Sequence, residues 1–134
     1  MNKIVAPDCV LVVESDLIVR QPLAEYLREC GYRVYEAIDT DEATQILNDR
    51  PRAIDIILCD VDCPGELGGF GLSRWVRTQG LPAKVILAAS VERAAQKAGD
   101  LCEDGPQVRK PYDHALLLDR IKRMLAMRER SGQP

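Results

Sequence analysis

Short apolar runs alternate five times with longer stretches of helical periodicity, and this alternation limits the chain to a small set of folds. Val, Ile and Leu dominate residues 9–13, 54–59 and 84–88, a mixed run covers 33–37, and a weak one covers 107–109. Each run has strand length and is flanked by polar or turn-forming residues. Between them, residues 16–30, 39–48, 70–79, 91–97 and 112–128 place apolar side chains at helical spacing. The first of these carries Leu17, Leu23, Tyr26 and Leu27 and stops at Gly31, a suitable C-terminal cap. The last aligns Leu117, Leu118, Ile121, Met124 and Leu125 on one stripe. Aliphatic strands separated by helices predict a mostly parallel, five-stranded sheet covered on both faces. A length of 134 residues fits one α/β domain over 1–134, with a core at about 8–128.

Two of the runs end in acids. Residues 54–59 lead into Asp60-Val61-Asp62, after which Cys63-Pro64-Gly65 and Gly68-Gly69 turn the backbone away. The first run leads into Glu14-Ser15-Asp16. Parallel strands bring their C-terminal ends to one edge, the edge where open α/β sheets bind ligands. Glu14, Asp16, Asp60 and Asp62 all follow such ends, as do Ser90 and Lys110. Clustered carboxylates repel one another, and a divalent cation or an ammonium group offsets that repulsion. Oxygen ligands with open positions suit Mg2+, which retains waters and shares phosphates. Lys110 supplies the ammonium. A carboxylate, Mg2+ and a lysine are the equipment for receiving a phosphoryl group.

Charge and composition remove several classes of function. A net charge of −3 gives no support to bulk binding of nucleic acid or anionic membrane. No apolar stretch approaches the roughly 20 residues that span a bilayer. The opening residues are too few and too polar for a signal peptide, so a cytoplasmic location is expected. The five cysteines, Cys9, Cys30, Cys59, Cys63 and Cys102, show no CxxC spacing and read as small buried thiols in a reducing compartment. The basic run Arg120, Lys122, Arg123, Arg128 and Arg130 reads as a solvated helix face, His114 as a surface residue, and Trp75 as packed on the sheet.

Taken together, VLVVESD, CGYRVYEA, IDIILCDVDCPGELGGFGLSRWVR, KVILAAS and VRKPYD make the chain resemble the response-regulator receiver domain of two-component signalling. The resemblance covers nearly all of the sequence. It implies a three-layer, flavodoxin-like fold with strand order 2-1-3-4-5. It also implies that Asp60 is the phosphoacceptor and Glu14 the first acid of an Mg2+ site. Asp62 takes the place whose backbone carbonyl binds the metal. Lys110 takes the place of the phosphate-binding lysine, and Pro111 that of a proline following a cis peptide. A sensor histidine kinase or histidine phosphotransfer protein would be the donor. The downstream partner would be a protein docking on the face between strand 4 and helix 5, with no output domain attached.

Three positions depart from the family pattern. Ser15 stands where a second metal-binding acid is usual, which weakens the expected Mg2+ site. The adjacent Asp16 is a candidate substitute. Ala88 replaces the threonine or serine after strand four, and Ser90 is the nearest hydroxyl. Gln107 replaces a switch aromatic. These departures motivate a second reading, a degenerate receiver that binds partners without being phosphorylated. Asp60-Val61-Asp62 also matches the DxD of haloacid-dehalogenase-type phosphatases, but on the wrong strand and in too short a chain. A flavin-binding flavodoxin is disfavoured because no Ser/Thr-rich phosphate loop follows the first run.

Overall fold

The computed structural model describes residues 8–106 and 111–132. Four parallel strands alternate with helices: β1 (Cys9–Val13), α1 (Leu17–Glu29), β2 (Arg33–Ala37), α2 (Thr40–Asp49), β3 (Ile56–Asp60), α3 (Gly68–Thr78) and β4 (Lys84–Ala88). Two helices, α4 (Val91–Asp104) and α5 (His114–Ser131), complete the described elements. The strand order is β2-β1-β3-β4. The first four strands of the expected order 2-1-3-4-5 are thus in place, the described residues hold four strands rather than five, and the weak run at 107–109 lies outside the described residues. β1 is buried along its whole length between β2 and β3, as its unbroken aliphatic sequence requires.

Side-chain alternation divides the interior into two cores. Val10, Val12, Ile56, Leu58 and Ala88 face α1, α4 and α5, while Cys9, Leu11, Val13, Ile57 and Cys59 face α2 and α3. The helices begin where short polar side chains cap them. Asp16, Asp39, Ser90 and Asp113 each accept a hydrogen bond from a first-turn backbone N–H. At the end of α1, Gly31 takes φ 100° and closes the helix before Tyr32 turns into β2.

Two features of α4 depart from the sequence expectation. The helix runs to Asp104, well past the alanine-rich stretch 91–97. Its buried stripe, Ala94, Ala95, Ala98, Leu101 and Cys102, continues the helical period beyond the point where polar residues obscure it. It also packs beside α1 and α5. Extending the right-handed β3–α3–β4 connection past β4 would instead put the next helix over α2 and α3. Small alanines let α4 approach α1 closely, and Cys30 bonds Cys102 across a sequence separation of 72. The reading of all five cysteines as thiols is therefore corrected for this pair. Packing of α1 against α4 joins them, and no sequence spacing announces it. Cys9, Cys59 and Cys63 are free and buried. No helix among the described residues is long and apolar enough to cross a membrane.

Candidate functional site

Strand register brings the first acids together. Val13 pairs with Cys59, so Glu14 and Asp60 are the next residues out on adjacent parallel strands. Alternation turns both toward the side of Val12 and Leu58, and the two acids line one cavity, together with Ala88 and Ser90. Asp60 ends β3 half-buried, and its Oδ1 accepts a hydrogen bond from the Asp62 N–H at 3.1 Å. The backbone around it is fixed. Cys63 N–H donates to the Asp60 carbonyl and Val61 N–H to the Ala88 carbonyl, both at 3.1 Å. Gly69 brings α3 against this turn, where an added Cβ would lie 2.8 Å from the Val61 carbonyl oxygen.

Glu14 is the electrostatically stressed member. Burial, and then the neighbouring Asp60 and Asp16 charges, push its carboxyl above the usual range, against a hydrogen bond from the Asp16 N–H. That bond, to Oε2, is 2.7 Å. A cation between Glu14 and Asp60 would offset the stress. Mg2+ is commonly held by one or two carboxylates together with waters and phosphate. Glu14 and Asp60 are a carboxylate pair of that kind, so these residues fit the ion. Among the described residues, no group of three or more His, Cys, Asp or Glu side chains forms a richer metal cluster.

The remaining candidates are distributed around this pair. Asp16 is turned to a different task. Arg128, near the end of α5, donates to its two carboxylate oxygens at 2.8 and 2.9 Å, and Ile18 N–H donates to Oδ1 at 3.0 Å. The Arg128 guanidinium, the leading cause, holds the Asp16 carboxyl below its ordinary range. Ser15 is exposed. Ala88 is buried at the cavity floor, and Ser90 Oγ accepts a hydrogen bond from Arg93 N–H at 3.1 Å as the cap of α4. Pro111 is exposed, while Lys110, Gln107 and the peptide bond preceding Pro111 lie outside the described residues.

Sequence reading missed the role of Arg128, grouping it with the other basic residues of α5 as solvated. Most of that group is paired. Arg120 bridges to Glu25 at 3.1 Å, Lys122 to Glu92 at 3.1 Å and Arg123 to Asp119 at 2.8 Å. The charged positions recurring across α1, α4 and α5 were the available signal. His114 is half-buried over Gly99 rather than at the surface, and Trp75 packs against the α2–α3 core as expected. Beneath Asp60, the Cys59 thiol is pushed far up by its hydrogen bond with Cys63 and by burial, which leaves it a packing group.

Comparison with known proteins decides the family. Residues 10–122 match the response regulator receiver domain. The chain belongs to that family. It is 32% identical over 124 residues to the sensor histidine kinase RcsC of Salmonella typhi, covering 88% of this chain and 12% of that protein. It is 28% identical over 117 residues to the aerobic respiration control protein ArcA of Escherichia coli K12, covering 87% and 48%. Among solved structures, the receiver domain from the hybrid histidine kinase CckA matches with a TM-score of 0.58 and 31% identity, over 87% of this chain and 98% of that one. The chemotaxis response regulator CheY4 of Vibrio cholerae matches with a TM-score of 0.57 and 25% identity, over the same shares. The chain spans about half or less of the length of the curated relatives it matches. Family membership makes this receiver a signalling module of the two-component type rather than an enzyme, and the DxD phosphatase reading falls away. The fold is the flavodoxin-like receiver fold, with a parallel sheet.

Proposed function

We propose that this receiver accepts a phosphoryl group on Asp60 from a histidine kinase or histidine phosphotransfer protein and passes the signal on by protein contact. The observation that carries the reading is the pairing of Glu14 and Asp60 in the lining of one cavity, at the C-terminal edge of the sheet. Asp60 Oδ is the nucleophile. It attacks phosphorus, an acyl phosphate bond forms, and the donor's P–N bond breaks with its electron pair going to nitrogen, the phosphohistidine ring, protonated on its other nitrogen, leaving as a neutral imidazole. Mg2+, when bound by Glu14, Asp60 and the Asp62 carbonyl, supplies charge neutralisation for that transfer. The Asp62 N–H bond orients the Asp60 carboxylate, and the fixed turn from Cys63 to Gly69 keeps it there. Lys110 binds the phosphoryl oxygens in this reading. The downstream protein docks on the face between β4 and α5, and the chain works in the cytoplasm, away from nucleic acid and membrane.

The degenerate reading has its own support. Asp16 is tied to Arg128, and the Ser90 hydroxyl serves as a helix cap, so neither is free to complete the site without rearranging. One experiment separates the two. The protein is incubated with phosphoramidate or acetyl phosphate, with and without Mg2+, and its intact mass is measured. Mg2+-dependent gain of one phosphate, absent in Asp60→Asn, supports phosphotransfer. No gain under any condition supports the degenerate receiver.

A further inference from the structure

The acid pair opens onto a hollow that phosphotransfer does not use. It holds about 130 Å3 and penetrates between the sheet, α1 and α4. Val12, Leu58 and Ala88 form its floor, and Leu23 and Ala94 form its opposing walls. Each of these five residues is buried. The hollow exists because α4 lies on the α1 side and presents alanine where larger side chains would fill the space. An aliphatic cavity of about 150 Å3 stays dry and accepts benzene, so this one is sized for a single small ring or a short branched chain. The rest of its lining has the opposite character. Glu14 and Asp60 belong to it, and no described lysine or arginine forms an ion pair with either carboxylate. The hydrogen bonds to their carboxylates among the described residues come from backbone N–H groups of Asp16 and Asp62, while Arg20 Nη1 is engaged with the Glu14 backbone carbonyl at 3.0 Å.

We propose that this hollow is a binding site for a small amphiphilic cation, an ammonium or amidinium group carried on a compact apolar body. The apolar part occupies the space between Leu58, Leu23 and Ala94, and the cation rests on Glu14. Since Glu14 also serves the Mg2+ site, occupancy would couple the receiver to such a metabolite by competition with the metal. The binding itself does not depend on phosphotransfer.

Benzylamine is the probe, with benzyl alcohol and benzoate as neutral and anionic isosteres. Each is titrated into the full chain without Mg2+ or phosphodonor and followed by amide NMR. The expected result is saturable binding of benzylamine with shifts at Ala88 and Ala94, about tenfold weaker binding of the alcohol, and none of benzoate. Glu14→Gln should bring benzylamine down to the affinity of the alcohol. Ala94→Leu, which fills a wall, should abolish binding, and Ala88→Val, a smaller addition at the floor, should weaken it severalfold if the leucine variant does not fold. Absence of saturable benzylamine binding overturns the proposal. So does equal affinity for the alcohol, or undiminished binding in whichever cavity-filling variant keeps its fold. Because the titration contains no phosphodonor, its failure leaves the phosphotransfer reading standing.

Discussion

Asp16 and Glu14 lie two residues apart, and the same fold drives their acidities in opposite directions. Arg128 stabilises the ionised Asp16, while burial and Asp60 disfavour the ionised Glu14. The linkage signs differ accordingly. The Asp16 pair contributes stability above the unfolded carboxylate pKa, and that contribution disappears as pH falls through the lower folded value. Arg128→Ala should therefore lower the melting temperature at neutral pH and have no effect in strong acid, measured by thermal denaturation across pH. Glu14 acts oppositely. Its raised folded value favours the protein at low pH, and stability is lost as pH rises from the unfolded to the folded value. Glu14→Gln should raise the melting temperature at neutral pH by a few degrees in Mg2+-free buffer and remove stabilisation by added Mg2+. A carboxylate at position 15 should restore a ligand for a hard cation, so Ser15→Asp should tighten Mg2+ by about tenfold in a calorimetric titration. An unchanged affinity would show that position 15 does not face the ion. Glu14, Asp60 and Ser15 could all be located from strand ends in the sequence. The Asp16–Arg128 contact could not, because it joins residues 112 apart across a helix packing that no local pattern encodes.

Among the elements, β1, β2 and β4 occupy their expected spans, and β3 begins two residues later than its apolar run. Asp55 explains that delay. Its carboxylate accepts hydrogen bonds from the backbone N–H groups of Asp8 and Cys9, so residue 55 braces the start of β1 instead of extending the strand. The sequence marks the glycines after β3 as turn-formers, and the structure gives Gly69 a contact role as well. An added Cβ would stand 2.8 Å from the Val61 Cα and 2.9 Å from the Asp60 carbonyl oxygen. These are backbone atoms, which cannot move aside without shifting the acid. Gly69→Ala should destabilise by about 1–3 kcal/mol, as overpacking does, and should also slow phosphorylation of Asp60. Equilibrium denaturation and the mass assay read the two effects. The length of α4 was hidden because Gln96, Lys97, Gly99 and Asp100 interrupt its apolar stripe. Its buried side is small rather than strongly hydrophobic.

Across the whole molecule, the parallel α/β architecture followed from alternation alone, whereas the placement of α4 did not. Which face a helix covers depends on handedness and on partners far away in sequence. Here alanines and the Cys30–Cys102 bond accompany the choice of the α1 side. A cross-link closing a loop of 72 residues restricts the unfolded chain by about 4 kcal/mol in the loop-entropy account. Cys102→Ser should lose a few kcal/mol of that in denaturant unfolding, and reduction of the wild type should lose a similar amount. If reduction leaves the midpoint unchanged, the bond does not contribute to holding α4. These arrangements bring two strand ends together as the proposed phosphoacceptor site, with Asp60 as its nucleophile. The most direct measurement traps the acyl phosphate. After phosphorylation with Mg2+, borohydride reduction converts the modified aspartate to homoserine, and peptide mass mapping locates it. The account predicts homoserine at position 60 and at no other carboxylate; homoserine at position 62 or 16, with Asp60 untouched, would contradict it.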